Sequence, residues 1–267
     1  FWERFMTGEL RYEVENNIGR IILNRPHRRN ALTFAMYDRI REICRIAGTD
    51  DDTDKVKVLI FLGGGDMAFA AGTDISQFRD FTDKQHAIDY EEKIEVVMEQ
   101  IEQCAVPTIA ALNGFVTGGG ASVAASCAIR IASTDVKIGV PIARTLGNCL
   151  SISGLKRLVA LVGEARARYI LLTGQLMDAT AAQSAGFISE TLADKQAVDA
   201  RAMELAQMMT AFAPLTIKAT MEGLRRLRAA TPTPRDHDLI EMCFGSEDFK
   251  EGISAFFEKR KPDWRGK

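Results

Sequence analysis

The sequence predicts an α/β core followed by a helical appendage. Apolar runs of strand length alternate with longer helix-period segments in the N-terminal part, and from Asp178 onward the pattern becomes mainly helical. Between positions 105 and 123 an apolar run also meets three consecutive glycines, Gly118-Gly119-Gly120, ahead of small-residue helical material. The core is expected over residues 1–200 and the helical part over residues 201–267.

Residues 10–24 give two short strands, 11–15 and 19–23, joined at Asn16-Asn17, a pair that tolerates positive φ. The loop Arg25-Pro26-His27-Arg28-Arg29-Asn30 follows because proline cannot extend a sheet, and Thr33 is placed to cap a helix running to about Ala47. The cluster His27, Arg28 and Arg29 reads either as a solvated charged loop or as a phosphate contact. Residues 56–62 are an apolar, β-branched strand, and residues 63–75 a long loop rich in glycine and alanine. Gly63, Gly65 and Ala68 match the G-x-G-x-x-A spacing of a dinucleotide fingerprint, but no helix opens there, so that reading is rejected. Residues 82–103 form a long helix in which His86, Tyr90, Ile94, Val97 and Ile101 recur at helical spacing. His86 and Tyr90 thus end an apolar stripe, either as core or at the edge of a pocket.

The central stretch comes next. Residues 106–112 read as a buried strand and residues 121–125 as packed helix, so the strand feeds the helix through the glycine triplet. Glycine lets a ligand approach the backbone, and the first helical turn carries unpaired N–H groups at the positive end of its dipole. Such a turn either holds an oxyanion or simply packs tightly. Gly120-Ala121-Ser122-Val123-Ala124 also approximates the nucleophile elbow of serine hydrolases, with its last glycine missing. Residues 128–132 and 136–138 are further short strands, residues 141–147 a loop and residues 151–173 helical. Helices are then expected over residues 180–185, 194–212, 214–228 and about 233–259.

Composition narrows the function. With 34 Lys+Arg against 36 Asp+Glu, the net charge of −2 favours no nucleic-acid partner. The five cysteines are odd in number and scattered, which suggests neither a disulfide framework nor a metal site and fits a reducing cytoplasm. The first residues carry no secretory pattern, and no run reaches the roughly 18 apolar residues of a membrane span, so a soluble protein is expected.

Taken together, Leu23-Asn24-Arg25-Pro26 with Asn30-Ala31-Leu32, Phe69-Ala70-Ala71-Gly72-Thr73-Asp74-Ile75, Asn113-Gly114-Phe115 with Gly118-Gly119-Gly120, Leu172-Thr173-Gly174 and Phe257-Glu258-Lys259-Arg260 resemble the crotonase superfamily of enoyl-CoA hydratases and isomerases. The resemblance implies a spiral of β-β-α turns closed by C-terminal helices that serve oligomerisation and pocket closure, in a homotrimer or a dimer of trimers. It implies an acyl-CoA substrate, with coenzyme A entering as part of the substrate and no permanent cofactor or metal. An oxyanion hole for a thioester enolate would be formed by the backbone N–H groups of Thr73 and Gly119. The CoA contacts would be His27, Arg28, Arg29, Ala31, Ala71, Asp74, Ile75 and Lys259.

The departures from the family pattern concern proton transfer. Hydratases of the family use two glutamates; here Ser122 stands at the first position, and Ile142 or Ala143 at the second, within Pro141-Ile142-Ala143-Arg144-Thr145-Leu146-Gly147. Neither can move a proton. Candidate substitutes are His86, Tyr90, Glu91 and Glu92 on the preceding helix, together with Ser122, Arg144 and Cys149. Four readings follow: a hydratase or isomerase, a decarboxylase or C–C lyase in which Arg144 recognises a substrate carboxylate, a CoA-binding protein without catalysis, and a serine hydrolase using Ser122.

Overall fold

A computed structural model describes residues 8–79, 81, 84–229 and 237–265. Strands β1 (Leu10–Glu15) and β2 (Ile18–Leu23) form the antiparallel hairpin, with Asn16 and Asn17 both at positive φ (51° and 62°). Helix α1 (Phe34–Ile46) starts where Thr33 accepts a hydrogen bond from the Met36 N–H.

Three successive β-β-α turns build the centre. In each, a first strand joins a large sheet, a second joins a small one, and a helix follows. The turns are β3 (Val58–Gly63), β4 (Ala68–Ala71) and α2 (Lys84–Glu102); β5 (Thr108–Leu112), β6 (Phe115–Thr117) and α3 (Gly119–Ser126); and β7 (Ile129–Ser133), β8 (Lys137–Gly139) with the helices α4 (Ile142–Thr145) and α5 (Ile152–Thr173). Helix α6 (Ala179–Ser184) leads to β9 (Glu190–Leu192). The large sheet has the order β1-β2-β3-β5-β7-β9, parallel after the hairpin, and the small parallel sheet the order β4-β6-β8. This is the spiral expected of the crotonase fold.

Helix α7 (Lys195–Thr210) covers one face of the large sheet, packing Val198, Ala202 and Ala206 on Val58, Ile60, Ile109 and Ala111. The alternate residues Leu59, Phe61, Ala110 and Leu112 face the main core. Both faces are therefore dry, which is why these strands read as unbroken apolar runs rather than alternating ones. The division expected after residue 200 falls inside α7, so the helices that leave the sheet begin with α8 (Pro214–Ala229). Helices α9 (His237–Phe244) and α10 (Glu247–Glu258) return, and Ile240, Phe244 and Phe249 pack against Phe78, Ala87, Ile88 and Leu146.

The structure corrects several expected elements. Strand β4 lies within the stretch read as a continuous loop, and β9 fills the gap between the helices expected at 180–185 and 194–212. Helix α4 occupies the loop expected at 141–147, α5 bends at Gly163 (φ 72°), and β6 rather than β5 feeds the helix at the glycine triplet. The last helix is two: the chain turns at Gly245, and Ser246 caps α10 by accepting from the Phe249 N–H at 3.0 Å. Its expected start near residue 233 lies outside the described residues. Among the described residues no helix is long and apolar enough to cross a membrane.

Candidate functional site

The segment after β4 is fastened to the loop after β2. Ala71 N–H donates to Arg29 O (3.0 Å), Leu32 N–H to Gly72 O (2.8 Å) and Asp74 N–H to Leu32 O (2.8 Å). The N–H of Thr73, between these bonds, has no backbone acceptor among the described residues. Arg25 reinforces the join: its guanidinium pairs with Asp74 at 2.8 Å and donates to Ala31 O at 2.6 Å. Asn30 donates to Gly64 O and Ala68 O from the other side. Burial works to raise the Asp74 pKa, but the hydrogen bonds from Ser76 and Arg25 outweigh it and hold the carboxyl below its ordinary range.

Opposite this segment, Gly118 (φ 51°, ψ −125°) turns β6 into α3, and Gly119 is the first residue of the helix. Its N–H has no intrahelical acceptor by position. A Cβ at Gly119 would lie 3.4 Å from Thr73 N, 2.9 Å from Thr73 Oγ1 and 2.1 Å from the Tyr37 hydroxyl. Glycine is thus required for the two segments to meet, and the two backbone donors border one space.

Hydroxyls pack behind that space. Thr73 Oγ1 is 2.9 Å from the Tyr37 hydroxyl and 3.0 Å from the Tyr90 hydroxyl. Burial raises both tyrosine pKa values, opposed by the Thr73 hydrogen bond and assisted by Glu91. Both phenols stay neutral and able to donate. Tyr37 escaped the sequence reading because it occupies an ordinary apolar position of α1.

A pocket of about 130 Å³ opens from the two donors. Phe78, Ile94, Met98, Val140, Ile142 and Leu146 supply its apolar walls; Tyr90, Glu91, Glu95, Ser122 and Arg157 its polar ones. Of the two positions considered for the second family glutamate, Ile142 lines the pocket and Ala143 is exposed. Arg157 is buried between Glu95 (2.5 Å) and Glu102 (2.8 Å), and Glu102 also meets Arg228 at 3.0 Å. Burial opposes the Arg157 charge, but Glu102 and Glu95 outweigh it and the guanidinium stays protonated.

Tyr90, Glu91, Ser122 and Cys149 come together at this pocket, along with Ala71 and Ile75. Other candidates fall elsewhere. His86 is exposed, one helical turn before Tyr90, with its ring 6.0 Å from Phe81. Glu92 is exposed and 3.2 Å from His237. Arg144 is exposed beside Gly174, outside the pocket lining. Ser122 Oγ is 3.4 Å from Gly118 O, and no histidine among the described residues lines the pocket, so the serine-hydrolase reading lacks its base. His27, Arg28 and Arg29 are exposed around a 3-10 turn (Pro26–Arg28), Arg29 lying 5.1 Å from the centre of the Phe115 ring. Ala31 and Asp74 flank the fastened loops, and Lys259 (φ 55°) ends α10, exposed and outside the pocket lining. No group of side chains able to hold a metal ion occurs among the described residues.

A family model described as enoyl-CoA hydratase/isomerase matches residues 13–267. A protein of Rhizobium meliloti described as a probable enoyl-CoA hydratase is 32% identical over 258 residues, 95% of this chain and 96% of that one. The short-chain-enoyl-CoA hydratase of Clostridium acetobutylicum is 30% identical over 256 residues, 93% of this chain and 94% of that one. The crystal structure of an enoyl-CoA hydratase/isomerase from Xanthobacter autotrophicus Py2 superposes with a TM-score of 0.81 at 27% identity, covering 94% of this chain and 91% of that one.

Proposed function

This chain belongs to the enoyl-CoA hydratase/isomerase family of acyl-CoA-processing enzymes, and we propose that it carries out proton transfer at the carbon beside the thioester, with the enolate oxygen held by the N–H groups of Thr73 and Gly119. The observation that carries this reading is the meeting of two backbone donors without backbone acceptors at the mouth of a mainly apolar pocket. Backbone N–H groups fixed in a dry site stabilise the developing charge without reorganising.

Ser122 and Ile142 stand where a two-glutamate hydratase holds its acid and base, so the proton is assigned to Glu91, which is buried in the pocket wall beside Tyr90. Tyr90 reinforces Thr73 and supplies a neutral hydroxyl. The decarboxylase or lyase reading is weaker. Glu91 and Glu95 disfavour a substrate carboxylate, and Arg157, the cation that lines the pocket among the described residues, is already held by two glutamates. Incubating butyryl-CoA with the protein in D2O and following its mass tests the proposal. Deuterium should enter at Cα, and Glu91→Gln should slow entry by about 10²- to 10⁴-fold. No exchange would support binding without catalysis; unchanged exchange in the variant would remove Glu91 from the role.

Coenzyme A is assigned to the groove beside Ala31, Ala71, Asp74 and Ile75, with the exposed His27, Arg28 and Arg29 meeting its phosphates and Lys259 adding a further cation. Calorimetry should give micromolar to sub-millimolar affinity for CoA, weakened in Arg28→Ala/Arg29→Ala; equal affinity in both proteins would exclude this loop. The C-terminal helices are proposed to serve oligomerisation. Phe212, Leu215, Leu224, Leu227 and Met242, on or beside these helices, are 53–78% exposed and offer apolar side chains to a second copy of the chain. Light scattering is expected to give three or six times the chain mass of 29.4 kDa, and a monomer would contradict this. The five cysteines, none of them in a disulfide, keep a reducing, cytoplasmic setting as part of the proposal.

A further inference from the structure

We infer that the Arg157–Glu95 ion pair is the stop at the end of the acyl pocket and restricts the enzyme to short, uncharged acyl groups; this rests on reading the pocket as an acyl-CoA site. Arg157 lines three adjoining cavities: the pocket at the two donors, a second of about 230 Å³ beyond the ion cluster, and an apolar one of about 20 Å³ behind Ser122. Glu95 lines the first two as well. The pair therefore forms the partition between the donor pocket and a larger, polar space containing Glu99, Glu102, Arg225 and Arg228.

The partition is cross-linked. Glu95 and Glu102 project from α2, Arg157 comes from α5 and Arg228 from α8, so the cluster ties three helices together. Ser151, the cap of α5, adds a contact to Glu95 at 3.4 Å. Arg157 has only 6% of its side chain exposed and Glu102 only 11%. Pushing hydrocarbon past them would strip partners from buried charges, a cost that burial of a few methylenes does not offset.

The space in front of the partition sets the length. A cavity of roughly 150 Å³ accommodates benzene, so about 130 Å³ suits an acyl group of roughly six carbons or fewer. A carboxylate at the far end of the chain would meet Glu91 and Glu95, with the Arg157 charge already matched. The signal could not be read locally in the sequence, because Arg157 stands 55 and 62 positions from its two partners.

The test is calorimetric binding of butyryl-, hexanoyl-, octanoyl- and dodecanoyl-CoA to the full chain. For the wild type, affinity should rise to about six carbons and then level off or fall. In Glu95→Ala/Arg157→Ala one charge of each sign is lost while Glu102 keeps Arg228, and the vacated volume becomes available. Octanoyl-CoA should then gain about tenfold over wild type, part of the roughly fourfold per fully buried methylene that transfer data allow. Glu95→Gln/Arg157→Met keeps most of the volume without the charge, and its profile should lengthen, though less than that of the Ala/Ala protein. Wild-type affinity that climbs steadily through dodecanoyl-CoA would overturn the inference without any variant, as would an unchanged profile in a folded Ala/Ala protein. Binding of free CoA and all four thioesters with equal affinity would overturn the stop alone. Failure of CoA and every thioester to bind would overturn the acyl-CoA reading and the stop with it.

Discussion

Gly119→Ala is expected to lower acyl-CoA turnover by about 10²- to 10³-fold, the loss that follows removal of one oxyanion donor. The added methyl would stand 2.1 Å from the Tyr37 hydroxyl and 2.9 Å from Thr73 Oγ1. Tyr37 is fully buried and its hydroxyl is bonded to Thr73, so room has to come from the Thr73 segment. One substitution therefore crowds the first donor and displaces the second. Steady-state kinetics would report the loss, with thermal unfolding as the check that the variant still folds. Adding Tyr37→Phe removes the colliding oxygen and should recover part of the activity, because the two changes share one contact. Full activity in folded Gly119→Ala would show that the donors do not act at this point.

The second large effect concerns water. Hydration of crotonyl-CoA by the wild type is expected to be at least about 10²-fold slower than by Ser122→Glu/Ile142→Glu, since each positioned acid or base contributes roughly 10²–10⁴-fold. Both positions line the pocket, whereas Ala143 is exposed and Ala143→Glu should give no gain. Initial rates at the enoyl absorbance follow the reaction directly. Rapid hydration by the wild type would mean that Glu91, or another group in the pocket, already activates water.

The sequence made some parts of this protein legible and not others, for physical reasons. Strands β3 and β5 stand out because α7 and the main core cover their two faces with apolar side chains. Strands β4, β6 and β9 have only three or four residues, and each pairs with a segment distant in the chain, so no local pattern marks them. Helix caps were readable where a side chain acts on its neighbours, as at Thr33, but the break at Gly245 was hidden within one apolar periodicity.

The same contrast holds at the site. Residue chemistry singled out the glycine triplet as a turn able to hold an oxyanion, and the family resemblance supplied Thr73 as its partner. The Tyr37–Thr73–Tyr90 hydroxyl chain joins α1, the segment after β4 and α2, which only the fold brings together. Helical spacing grouped His86 with Tyr90, yet one turn of α2 separates an exposed imidazole from a pocket-lining phenol. Arg144 was a reasonable carboxylate receptor by position, but α4 turns it outward.

A crystal structure with a non-reacting acyl-CoA thioester should place the thioester oxygen about 2.7–3.1 Å from both Thr73 N and Gly119 N, with the Glu91 carboxylate the titratable group nearest Cα. A thioester oxygen turned away from either donor, with the acyl chain lying outside the pocket that ends at Arg157, would contradict the proposed enolate site.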